Sequence, residues 1–220
     1  MTGPNRSTAV MQRRSEPHNS LDDFPTPPWA TRALCEWIWA RFSPGPLTSV
    51  REPACNRGHM VRPLSEYFGR VEGSDVHDYG AGFPVQDYLF GPPPERTEWT
   101  ITNPPFRLAA QFIERARQCS RYVAMLVRSA FTEGVGRFKT LFSQHRPMAI
   151  LQFTARVVIH RGKLTATGST ATAYCWVVWG AQGVDHTEFD WIPPCRRRLE
   201  RPGDYPAEPS EKDESGPCLI

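Results

Sequence analysis

Apolar residues in this chain fall into short dense runs separated by segments with a helical repeat. After a polar stretch without periodicity over residues 1–20, Leu34, Trp37, Ile38 and Arg41 recur at helical spacing. The segment from Pro27 or Pro28 to about residue 42 therefore reads as a helix, stopped by Ser43-Pro44-Gly45-Pro46. Thr26 stands where a hydroxyl can cap it, and proline is tolerated in a first turn. Apolar or β-branched runs at 47–50, 71–78, 99–102, 122–127, 148–153 and 172–179 read as strands. The run at 99–102 counts as the fourth strand, after a short motif at 85–89. Residues 107–119 place Leu108, Phe112, Ile113 and Ala116 on one helical face, and 131–145 reads as another helix despite Gly134 and Gly136. Strands alternating with helices predict an α/β fold, a largely parallel sheet with helices on both faces. No internal repeat is evident.

Composition narrows the class. With 220 residues, 40% hydrophobic and 22% charged, the chain can bury one substantial core, and two full domains would be tight. The expected division is a disordered arm over 1–20, a folded domain over 21–192 and a disordered tail over 193–220, where prolines and charges dominate. No apolar run is long enough to cross a bilayer, and the N-terminus lacks the apolar core of a signal segment. Six scattered cysteines without a C-x-x-C pair read as reduced thiols, so neither a disulfide framework nor a metal site is expected, and the setting is cytoplasmic. A net charge of +3 permits a polyanionic partner without requiring one.

The narrowest chemical signal is Asn103-Pro104-Pro105-Phe106, which ends the run Thr100-Ile101-Thr102. Prolines cannot donate to a sheet ladder, so the strand stops there and presents an amide and a ring at its C-terminal end, where open α/β sheets bind ligands. Upstream, Arg51-Glu52-Pro53-Ala54-Cys55-Asn56-Arg57-Gly58 follows a strand as a tight turn. Asp75 lies about twenty residues further on, at the position from which an acid accepts ribose hydroxyls in nucleotide-binding folds. These elements, in this order with Thr26-Pro27-Pro28 and Gln86-Asp87-Tyr88-Leu89, resemble the S-adenosylmethionine-dependent amino-methyltransferases. The arrangement is similar to the gamma-type DNA adenine-N6 enzymes, and it covers roughly residues 21 to 180.

The resemblance implies a Rossmann-like class I methyltransferase fold with a mostly parallel seven-stranded sheet, and S-adenosyl-L-methionine as cofactor. Thr26, Pro27, Glu52, Pro53, Ala54, Asn56, Gly58, Asp75, Asp87 and Asn103 would contact that cofactor, with Asp87 on its adenine amino group. Asn103, Pro104, Pro105 and Phe106 would form the catalytic element. Asn56 departs from the family pattern, which has glycine there; asparagine tolerates left-handed backbone better than other non-glycine residues. Gamma-type enzymes continue into a target-recognition domain, for which the chain is too short.

The implied activity is methyl transfer to adenine N6 in DNA. RNA or a protein glutamine is the alternative acceptor, and a non-catalytic nucleic-acid-binding module of the same fold is the reading from a different class. The polar stretch 154–171 carries Arg156, His160, Arg161 and Lys163, four groups able to follow a phosphate backbone, or simply to solvate an exposed hairpin.

Overall fold

A computed structural model of the chain describes residues 22–206. The arm expected over 1–20 lies outside the described residues, as does the tail from 207 onward. The strands are β1 (Ser49–Glu52), β2 (Arg70–Gly73), β3 (Thr97–Thr102), β4 (Ser120–Arg128), β5 (Ala149–Phe153), β6 (Tyr174–Trp179) and β7 (Glu188–Ile192). They form one seven-stranded sheet in the order β2-β1-β3-β4-β6-β5-β7. β6 runs antiparallel to β4 and β5; the other pairings are parallel.

Period-two alternation explains why the sheet is covered on both faces. Ala124 and Leu126 of β4 join Trp176 and Val178 of β6 in one core, under α1 (Pro28–Phe42), α2 (Val61–Ser65) and α5 (Arg196–Leu199). Val123, Met125 and Val127 join Cys175, Val177 and Trp179 in the other, against Phe112, Ile113 and Ala116 of α3 (Ala109–Cys119). Trp176 also donates its indole N–H to the Ala30 carbonyl at 3.1 Å, tying α1 to the sheet. The α/β class and the two helical layers are those expected.

Several boundaries differ. The seventh strand is Glu188–Ile192, which pairs in parallel with β5 at the sheet edge; residues 85–89 form a loop with one isolated bridge, Asp75 to Val85. Thr97–Thr102 is thus the third strand, not the fourth. β2 stops at Gly73, so Asp75 lies beyond it in the following turn. The helix expected over 131–145 is broken into a 3-10 turn (Ser129–Thr132), a short α4 (Val135–Arg137) and a π-type turn (Phe138–Phe142), with Gly134 at φ 105° between the first two. Glycine adopts such a φ freely, and no other residue type would. Thr26 does not cap α1: Pro27 holds the cap position, no side chain bonds there, and Ser43 closes the helix in left-handed conformation.

The fold also continues past residue 193, where a tail was expected. Cys195 and Leu199 are buried against α1, and Arg32 of α1, only 3% exposed, binds Glu66, Asp204 and the Leu199 carbonyl. A buried guanidinium needs full hydrogen-bond and charge compensation. Leu199 and Asp204 supply three of its five hydrogen bonds, which is why a charged segment is ordered. The five cysteines among the described residues are buried and unpaired, and no His/Cys/Asp/Glu group among those residues has metal-ligating geometry.

Candidate active site

Four chain segments leave the C-terminal edge of the sheet side by side: the turns after β1, β2 and β3, and the end of β4. The chain turns outward from β1 to β2 and then crosses back to β3, so the topological switch lies between β1 and β3. A cleft of about 190 Å3 opens there, lined by Thr26, Pro53, Ala54, Asn56, Asp75, Asp87, Asn103 and Pro105, with Phe24, His59, Tyr79 and Tyr88 among its other walls. Switch points are where such sheets bind ligands.

Asn103 is the best-defined group in it. Its Nδ2 donates to the Phe24 carbonyl and to Thr26 Oγ1, both at 3.0 Å. Its Oδ1 is buried without a partner. An amide with both donor hydrogens committed and its acceptor idle has a defined orientation and one unused function. Phe106, the last residue of the motif, is half-buried; Phe24 packs on it at 5.0 Å between centroids, and the Arg128 guanidinium lies 4.2 Å above the ring. Pro104 is buried and Pro105 lines the cleft.

A segment just ahead of α1 holds the site together. Asp22 Oδ2 accepts the Phe106 amide N–H at 2.6 Å, and Phe24 and Thr26 bind Asn103. Asp23 accepts from Asn56 Nδ2 at 2.6 Å and from Arg57. Residues 22–26 therefore strap the turn after β1 to the turn after β3. The sequence pattern pointed to Thr26 and Pro27 here and missed Asp22, Asp23 and Phe24; their partners are 33 to 84 positions away, beyond any local periodicity.

Asn56 adopts φ 51°, the left-handed geometry of a glycine position, and its side chain accepts the Arg57 N–H while donating to Asp23. The asparagine thus makes the turn and adds a tether that glycine lacks. Asp75 is 8% exposed and lines the cleft; its two carboxylate oxygens accept from the Asn56 and His77 amides. Asp87 is exposed at the wall, with Oδ1 on the Leu89 N–H.

Glu52, Pro27 and Gly58, expected as cofactor contacts, do not line the cleft. Glu52 is fully buried, and its Oε1 accepts from Ala54 N and Thr102 Oγ1, bracing the turn from behind. Burial pushes its carboxyl up to about 8, against the opposing pull of those two bonds, and Oε2 has no partner. Both features fit a carboxyl that is neutral at pH 7. His59 is held down at about 4 by burial and by Arg62 and Arg57, so it is neutral.

Charge is divided across the site. The cleft wall carries the carboxylates of Asp22, Asp75 and Asp87 and, among the described residues, no lysine or arginine. Cations gather at the rim instead: Arg57 over Tyr79 at 4.7 Å, Arg128 over Phe106, and Arg107 exposed beside it. The 154–171 stretch comes to the same rim, since Gly162 N–H donates to the Asp23 carbonyl at 2.7 Å. That contact brings the turn His160–Lys163, with Arg161 and Lys163 exposed, next to the strap that holds Phe106. Arg156, whose Nη1 reaches the Ala171 carbonyl at 3.4 Å, lies further along the same stretch.

The fold is similar to that of several solved structures. A protein from Listeria monocytogenes described as a class I S-adenosylmethionine-dependent methyltransferase superposes with TM-score 0.60 at 14% identity, covering 79% of this chain and 67% of its own. The fold is that of the class I methyltransferases. A protein from Pyrococcus horikoshii described as an RNA methyltransferase matches this methyltransferase fold with TM-score 0.56 at 15% identity, over 78% of this chain and 94% of its own. A type I restriction-modification methyltransferase subunit from Streptococcus thermophilus also gives 0.56, at 8% identity over 83% of this chain. The chain spans only 50% of that subunit's length. No protein-family model and no curated protein matches the sequence.

Proposed function

We propose that the protein is an S-adenosyl-L-methionine-dependent N-methyltransferase acting on the N6 amino group of adenine in DNA. The observation that carries this reading is the idle acceptor of Asn103, fixed by Phe24 and Thr26 and buried at the cleft. An exocyclic amino nitrogen is a poor nucleophile because its lone pair is delocalised into the ring. Asn103 Oδ1, together with the Pro104 carbonyl, accepts the amino hydrogens and frees that lone pair for in-line attack. Catalysis then comes from positioning and preorganised dipoles.

When bound, S-adenosyl-L-methionine supplies an activated methyl group on a sulfonium cation. The residues present fit it: Asp75 and Asp87 offer acceptors for ribose hydroxyls and an adenine amino group, the Asn56 turn lets backbone approach closely, and Thr26, Pro53 and Ala54 complete the wall. An anionic cleft favours a cationic cofactor, and a cationic rim favours a polyanionic acceptor. That polarity favours nucleic acid over a protein glutamine. A base stacking on Phe106 takes the place of the Arg128 guanidinium, after leaving its own helix.

RNA is the second reading, favoured by the fold's likeness to the Pyrococcus protein. Tritiated-methyl transfer to DNA and RNA, followed by nuclease digestion, separates the two. Asn103→Ala should abolish transfer while calorimetry still detects cofactor binding; turnover surviving in that variant would sink the assignment.

A further inference from the structure

The N-terminal edge of the sheet, opposite Asn103, holds a second and smaller crevice of about 70 Å3, walled by Arg96, Arg117, Ser120, Arg121, Val123 and the turn at Gly180. Topology brings these residues together. Arg96 immediately precedes β3, Ser120 and Arg121 open β4, and Thr97 and Ser120 are register partners. Gly180 follows the end of β6, which runs the other way and so finishes at the same edge, and Arg117 sits in the last turn of α3.

Three arginines from three elements thus line one crevice. Arg121 pairs with Glu98 at 3.3 Å. Neither Arg96 nor Arg117 has a hydrogen bond or ion pair among the described residues. Elsewhere the chain treats its structural arginines differently: Arg32, Arg41, Arg51 and Arg198 each meet a carboxylate. Arg117 is half-buried, and that partial burial lowers its pKa. A helix C-terminus favours one cation, which accounts for Arg117 but not for Arg96 arriving from a separate loop. Like charges gathered around a concave space repel unless an anion enters it, and guanidinium forks match the oxygens of a tetrahedral oxyanion.

We propose that this crevice binds a compact oxyanion of the phosphate class, held by Arg96, Arg117 and Arg121. It is much smaller than the cleft at Asn103, and its size suits a single phosphate group in preference to a nucleoside. It stands independently of the methyl-transfer reading. The phosphate has two chemical sources, a free phosphate ion or a backbone phosphate of nucleic acid.

The test is a 31P line-width titration of inorganic phosphate with the full chain, chloride holding the ionic strength constant. Saturable broadening is expected, with the dissociation constant rising at least tenfold in R96Q/R117Q. Arg96 is exposed and unpaired, so R96Q alone keeps the fold, checked by near-ultraviolet circular dichroism, and should weaken binding several-fold. No saturable broadening with the wild-type chain, or the same dissociation constant in R96Q, overturns the proposal. A parallel titration with an oligonucleotide identifies the source. Weaker binding and a salt slope smaller by about one in R96Q indicate a backbone phosphate; unchanged oligonucleotide binding beside weakened phosphate binding indicates a free one.

Discussion

At the scale of single residues, the site depends on which end of one amide faces the cleft. Two hydrogen bonds from Asn103 Nδ2 decide it, and one goes to Thr26 Oγ1. Thr26→Val keeps the shape and removes that acceptor. The single-turnover methylation rate should fall about tenfold, the equivalent of one ordinary hydrogen bond of ~1.4 kcal/mol in the barrier. Cofactor affinity, read by calorimetry, should change much less than the rate. The Asn-Pro-Pro-Phe motif was legible in the chain because its residue types are unusual together. The Asp22–Phe106 and Asp23–Asn56 bonds were not, because an aspartate before a proline-rich segment carries no mark of its distant partner.

At the scale of elements, boundaries follow local chemistry where a core face enforces them. The apolar runs of β4 and β6 are legible because both faces of those strands are buried, and α3 because one stripe is apolar. β7 escaped detection for the opposite reason. It is an edge strand with Phe189, Asp190 and Trp191 exposed, so burial imposes no pattern on it. The α5 segment escaped because its stabilisation is ionic. Arg32→Met should destabilise the protein by about 3 kcal/mol, since it leaves the buried Asp204 carboxylate without its guanidinium partner. Urea denaturation measures the loss, and proteolysis should reach residues 199–204 first.

At the scale of the whole molecule, two titrations report on the arrangement. The Glu52 carboxyl has a folded pKa near 8, well above its ordinary 4.5, so the folded state holds a proton that the unfolded chain releases. Its contribution to stability is complete below about pH 4.5 and is lost as pH rises toward 8. Denaturant midpoints measured across that range should decline with pH from this group, and Glu52→Gln should flatten the decline. The basic rim gives the second. Lys163→Ala should weaken oligonucleotide binding to a similar degree for all sequences, with a salt slope smaller by about one. A loss confined to one sequence would mean that Lys163 reads bases.

The fold class, the two helical layers and the position of the Asn103 motif at the end of a strand are legible in the amino-acid order. These follow from periodicity and from backbone limits that proline and glycine impose within a few residues. That Glu52 braces the turn from behind the cleft, that residues 22–26 strap two turns together, and that the basic loop reaches the same rim emerge only once the chain is folded. Each of those depends on contacts between residues far apart in the chain, which are set by how the sheet is ordered and not by any local pattern.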